Sequence, residues 1–421
     1  MKIKVLNISF IIIALGLLFI EEYSKAFVVL LIMYSVNKGI QDKRWFSPYF
    51  ILLVTLVSFL LYFHELSPLM FMDLPASTLF MICGSFVALI FGFTVIRSFG
   101  IKPVKVPDNY SENFWIAFWI GIIPTLIAYY MFGNVYSMEN DKMLEVKEEM
   151  SLPVIGQFAY FLPASILIAC KRNNTKLIVL ALISTFAAAL FTLTKTSIVI
   201  AVVFMLIGIS VFKPSLTENK LVRQIRKYIF LVLPFSFLLL FSFNNTTRHG
   251  DSADTMSFIE QGGSSLSASG GIAQNMYLNY LYFCNPWSNL QYNVKNNHVH
   301  GNGRNTFSQF GKKIGIDIDK VQKICPSVIN THSFLTDYYI DFGIIGSIIA
   351  SFFLGCVIYF LYRKFGLSND PMLLAFYGLI CYATFMLFFN NHFNDGYLIN
   401  YFITFGLYYL WCKNVSKAKL T

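Results

Sequence analysis

The stretch Gly343–Tyr362 reads GIIGSIIASFFLGCVIYFLY, twenty residues without a charge, closed by Arg363 and Lys364. At 1.5 Å per residue such a helix is about 30 Å long, the thickness of a bilayer's hydrocarbon core. A basic pair directly after an apolar run is the usual cytoplasmic mark at the end of a span. This segment therefore reads as a transmembrane helix leaving the membrane on the cytoplasmic side.

Similar runs recur along the chain. Spans are expected at about 5–20, 23–36, 48–63, 78–96, 114–132, 153–170, 177–193, 197–212, 228–243, 343–362, 371–389 and 397–412. Only 13% of the residues are charged and 56% are hydrophobic, about half the usual polar cover of a water-soluble domain. The expected fold is all-α and integral to the membrane, with about twelve transmembrane helices. The first run lacks a small-residue cleavage site and is followed by Glu21 and Glu22, so it reads as a retained helix.

The net charge of +10 is mainly a topology signal. Lys38, Lys43 and Arg44, then Arg97, Lys102 and Lys105, and later Lys220, Arg223, Arg226 and Lys227 all fall in alternate connections. The intervening short loops lean acidic, as at Glu145, Glu148 and Glu149. Both termini are then cytoplasmic. The charge is spread over short loops, so a nucleic-acid partner is not expected.

The chain divides into 1–243 with nine spans, a long extracytoplasmic loop over 244–342, and 343–421 with three spans and a cytoplasmic tail. The loop carries the Gly/Ser-rich run Gly262–Gly271, many asparagines and His249, His298, His300 and His332. A connection this long is usually functional. Within it, the aromatic-rich stretch 272–292 is expected to lie on the membrane interface and 316–328 to form a short helix. Cys284 and Cys325 both fall in the loop, where a disulfide is permitted; two free thiols are the alternative. His298 and His300 form an H-x-H pair, but no carboxylate or cysteine stands at ligand spacing, so neither metal nor cofactor is expected. The span centres are nearly free of acids and bases, which favours chemistry at the outer face over transport.

At the loop's end stands Thr331-His332-Ser333-Phe334-Leu335-Thr336-Asp337-Tyr338-Tyr339-Ile340-Asp341-Phe342-Gly343. A histidine at the membrane surface suits proton transfer near neutral pH. Asp337 and Asp341 share a face if the helix starts early, and acids near a helix N-terminus also have a purely structural reason in the backbone dipole. In this order, with Gly343-Ile344-Ile345-Gly346 at a helix start, the segment resembles the O-antigen polymerases and the related ligases of bacterial inner membranes. The twelve-span architecture with one late outer loop is similar too.

The resemblance implies polymerisation of undecaprenyl-diphosphate-linked oligosaccharide repeat units at the outer face. His332 would then be the base, and outward-facing cations would hold the diphosphate. Arg248 and Arg304, the arginines of the outer loop, are the candidates. Lys195 in the turn Leu193-Thr194-Lys195-Thr196-Ser197 is a third, lacking arginine's planar fork. Asp337, Asp341, His392 and Asp395 are candidates for the site's border. Implied partners are lipid-linked oligosaccharides, membrane lipids, a chain-length regulator and a flippase. The rival readings are a ligase transferring finished polymer to a lipid core, and a polysaccharide or small-molecule transporter.

Overall fold

The computed structural model describes residues 11–15, 22–62, 75–105, 112–133, 155–191, 195–214, 271–297, 300–324, 331–394 and 396–418. The expected span 228–243 and most of 5–20 lie outside them. From Tyr23 onward, the α-helices among the described residues are α1 (Tyr23–Gln41), α2 (Pro48–Tyr62), α3 (Ala76–Ser98), α4 (Phe114–Phe132), α5 (Phe161–Lys171), α6 (Thr175–Phe191), α7 (Lys195–Phe212), α8 (Gly271–Asn296), α9 (Arg304–Lys313), α10 (Phe334–Leu361), α11 (Pro371–Phe385) and α12 (Gly396–Ala418). No strand occurs among the described residues.

Among the described residues, four segments are long and apolar enough to cross a membrane: Ala76–Ser98, Phe114–Phe132, Phe334–Gly366 and Pro371–Phe388. Three of them carry exposed apolar residues, Phe91, Trp119, Ile345 and Phe353 among them, while Ser85, Ser347 and Ser351 are buried; the fourth, Pro371–Phe388, is buried throughout. Apolar surface outside and hydroxyls inside is the reverse of what water selects. The chain is an α-helical membrane protein.

The chain forms two compact units. One comprises Met1–Ile101, Leu238–Phe360 and Ala383–Gly396. Here α3 and α10 touch backbone to backbone. A Cβ on Gly92 would press on the Phe352 carbonyl, and one on Gly355 on the Leu89 carbonyl. Gly343, Ser347, Ser351 and Gly355 form a small-residue stripe on α10 at four-residue spacing. The Ser347 and Ser351 hydroxyls donate to the carbonyls of Gly343 (2.8 Å) and Ser347 (2.7 Å). At the basic end, Asp42 accepts from Arg97 (3.2 Å), Ser47 (2.6 Å) and Tyr359 (3.2 Å).

Two expectations for the long loop need correction. The stretch expected on the membrane interface is the 26-residue helix α8, which packs against α2 and is buried at every position from Phe283 to Gln291. Trp287 lies edge-on to Phe59 and Phe86, and its Nε1 donates to the Ser58 hydroxyl (2.9 Å). Ser58 in turn donates to the Phe283 carbonyl (2.5 Å), and Phe283 stacks on Phe388. Burying the rings against a satisfied hydroxyl gains more than leaving them half in water. Cys284 is buried there as a free thiol, and Cys325 lies outside the described residues.

The second correction concerns 316–324, which is irregular rather than helical. Asparagine side chains take up its backbone groups. Asn305 Oδ1 accepts from Val321 N (2.8 Å) and its Nδ2 donates to Val321 O (3.2 Å). Asn293 does the same to Ile324 (3.0 and 2.7 Å), and Asn297 donates to the Gln322 carbonyl (3.3 Å). A carboxamide presents one donor and one acceptor side by side, so it pairs with an extended residue as a strand would.

The other unit comprises Lys102–Phe237, Leu361–Tyr382 and Tyr397–Thr421. Its centre is α5, buried at every position from Phe161 to Cys170. Gly121 of α4 meets the Leu162 backbone, and Gly208 of α7 meets Cys170. Buried Glu112 pairs with Lys171 (3.1 Å), while Arg172 donates to the Glu112 carbonyl (2.6 Å). Asp370 caps α11 through Leu373 N (2.9 Å). Burial and the neighbouring Glu112 raise the Asp370 carboxyl to about 8, so it holds a proton at neutral pH.

Candidate active site

The site is built on α10, which begins at Phe334, nine residues before the expected start of the span. The early turns form because 334–341 is buried along its length and packs against the described end of the loop. They end at Gly343, whose φ of 69° and ψ of −166° interrupt the helix. That conformation belongs to glycine, and His300 flanks the open side where a Cβ would stand.

His332 sits immediately before this helix and is 7% exposed. The preceding carbonyl, that of Thr331, accepts from Asn289 Nδ2 of α8 (2.7 Å), and Thr336 N donates to the Ser333 carbonyl (3.0 Å). The histidine is therefore held between α8 and the first turn of α10. The buried hydroxyls of Thr331, Ser333 and Thr336 make no hydrogen bond among the described residues. The nest thus has unused hydrogen-bonding capacity, which is costly unless something polar occupies it.

Asp337, in the same first turn, is buried and paired with Lys323 Nζ at 2.8 Å. Its other oxygen accepts from Asn394 Nδ2 (3.3 Å) in the 3-10 turn His392–Asn394. Burial first, and then the positive charge of Lys323, push the His332 imidazole down to about 3. It is neutral at every physiological pH. Next along, Tyr338 is buried.

Asp341 has a structural task. Its carboxylate accepts from the backbone N–H of Asn305 (2.9 Å) and Thr306 (2.6 Å), capping the N-terminus of α9. The acid thus serves a neighbouring helix rather than the start of its own. Gly301 N and Asn302 N donate to the carbonyls of Ile340 and Asp341, tying the same turn to α10. Arg304, first residue of α9, is exposed. α9 also packs on the His392–Asn394 turn, so His392 stands at the border of the cluster.

Of the expected site residues, the structure gathers His332, Asp337, Asp341 and His392 around the start of α10, with Arg304 one capped helix away. Lys195 begins α7 in the other unit. Arg248, Asp395 and His298 lie outside the described residues. Lys323 is the residue that sequence reasoning missed. It stands in an irregular segment where no periodicity or motif marks a lysine, and only the fold carries it to Asp337. Among the described residues no group of three or more His, Cys, Asp or Glu could hold a metal ion.

Chemically, the arrangement offers an uncharged base, a cation neutralised by a carboxylate, and hydroxyls at a membrane helix's entrance. Compared with known proteins, the chain matches no family model, no curated protein and no solved structure.

Proposed function

We propose that this protein is a membrane glycosyltransferase that polymerises lipid-diphosphate-linked oligosaccharide repeat units into O-antigen or a related surface polysaccharide. On this reading it spans a bacterial inner membrane twelve times, with both termini cytoplasmic and the 244–342 loop outside. The observation that carries the proposal is the buried, neutral His332 beside the Lys323–Asp337 pair, set in a stretch that resembles the O-antigen polymerases.

In the reaction, the bond between the chain's terminal sugar carbon and the lipid diphosphate breaks, and that carbon joins an acceptor hydroxyl of the next repeat unit. His332 takes the hydroxyl proton. The lipid diphosphate leaves with the bonding electrons, held by Arg248, Arg304 and Lys323, with Lys195 a further candidate. Diphosphate bound near Lys323 would offset the smaller, electrostatic cause of the His332 depression, while burial, the larger one, stays in place. The unfilled hydroxyls of Thr331, Ser333 and Thr336 suit a polyhydroxylated sugar.

A gel of surface polysaccharide from a deletion strain tests this reading. Loss of a polymerase leaves a single repeat unit on the lipid core. A bare core would instead identify a ligase, and an unchanged ladder would refute both.

A further inference from the structure

Helix α9 is inside out. Its buried positions are Asn305, Ser308 and Gly311, whereas Phe307 (54%), Phe310 (54%) and Ile314 (58%) are exposed at three- and four-residue spacing. The apolar side faces away from the protein and the polar side toward it. In water this arrangement forfeits the main driving force for docking a helix, so the outward face requires an apolar neighbour.

The surroundings identify that neighbour. A Cβ on Gly303 would meet Phe307 on one side and Phe342 on the other, so these two rings adjoin across Gly303. Phe342 heads the exposed stripe of α10, which continues through Ile345, Ile349, Phe353 and Val357. The apolar face of α9 is therefore continuous with the exposed apolar side of a membrane-crossing helix. Arg304 and Lys312 lie exposed along α9, while Asp317, Asp319 and Lys320 follow in the exposed segment beyond it. Phenylalanines on one face with basic residues at the flank are the pattern of a helix lying in the headgroup boundary.

We propose that α9 is an interfacial anchor, its Phe307–Phe310–Ile314 face seated in the bilayer surface beside the emerging end of α10. The Asp341 cap fixes this anchor to the turn that carries Asp337. The lipid surface thereby sets the height of the His332 cluster above the membrane.

The test is site-specific photo-cross-linking of the full-length protein in vesicles of phosphatidylethanolamine and phosphatidylglycerol. The variants are Phe307→p-benzoylphenylalanine and Phe310→p-benzoylphenylalanine, each conservative at an exposed aromatic position. Phe353, on the exposed stripe of α10, serves as the lipid-facing reference and Asp317 as the water-facing one. Mass spectrometry should find lipid adducts at both phenylalanines, about tenfold more than at Asp317. A cross-linked dimer at these positions would overturn the proposal in favour of a second copy. No adduct at either position, with lipid adducts still formed at Phe353, would overturn it in favour of water. Neither result depends on whether the protein makes polysaccharide.

Discussion

Replacing Asp341 with alanine should melt one helix without unfolding the protein. The carboxylate accepts two charge-assisted bonds, from Asn305 N at 2.9 Å and Thr306 N at 2.6 Å, and is almost wholly buried. Each bond from a backbone N–H to a buried charge is worth about 1.5 kcal/mol or more net. Together they contribute about 3 kcal/mol, which is about two decades in an opening equilibrium. The loss is local, because α9 is held otherwise by the Asn305 clamp and its contact with the 392–394 turn. Hydrogen exchange followed by mass spectrometry in lipid nanodiscs reads this directly. Peptides over 304–313 should exchange about a hundredfold faster in Asp341→Ala, while α3 and α5 peptides keep their rates. Unchanged exchange at 304–313 would refute the capping role; acceleration spread evenly over all helices would refute its locality.

Other expectations follow from the same geometry. His332 has a folded-state pKa of about 3 against about 6.5 when unfolded. Above pH 6.5 neither state holds the proton and its contribution is complete. As pH falls from 6.5 toward 3, only the unfolded chain takes up the proton, so stability drops by about 1.4 kcal/mol per pH unit. Thermal unfolding of His332→Gln between pH 7 and 5 should lack that share of the acid sensitivity; identical slopes would contradict it. Asp370 titrates in the opposite sense. Its raised pKa means stability present at low pH that is lost as pH climbs from about 4 to about 8. Asp370→Asn keeps the Leu373 cap, removes this dependence and should be at least as stable at pH 8; lower stability there would count against a protonated carboxyl. Gly343→Ala must adopt φ 69° with a side chain, at about 1–3 kcal/mol. Polysaccharide should shorten in that variant while membrane levels hold, and wild-type chain lengths would show that the kink has no role in placing Asp337.

How far the sequence discloses this molecule depends on the interaction involved. Phe114–Phe132 is expected and found with the same bounds, because an unbroken apolar run has one reading in a membrane. The early turns of α10 are hidden. Asp337 and Asp341 share a helix face only if the helix starts early, which it does, and Gly343 looks like a helix start when it is a break within one. α9 is hidden for another reason. RNTFSQFGKK is polar on average, and its meaning lies only in the spacing of Phe307, Phe310 and Ile314. Asn293 and Asn305 are visible as part of an Asn-rich loop, but which backbone they clamp is a tertiary fact. His332 is marked as a candidate by the local order around it. Lys323 was not, since its partner Asp337 lies across an irregular segment.

The central claim is that His332 is the base of a polymerising transfer. Its direct measurement uses the purified protein in vesicles with a synthetic undecaprenyl-diphosphate-linked repeat unit, following product length over time. The account predicts a ladder of lipid-linked polymer with the native chain, and only the starting unit with His332→Ala at equal protein in the vesicles. A ladder of normal length from His332→Ala would contradict it.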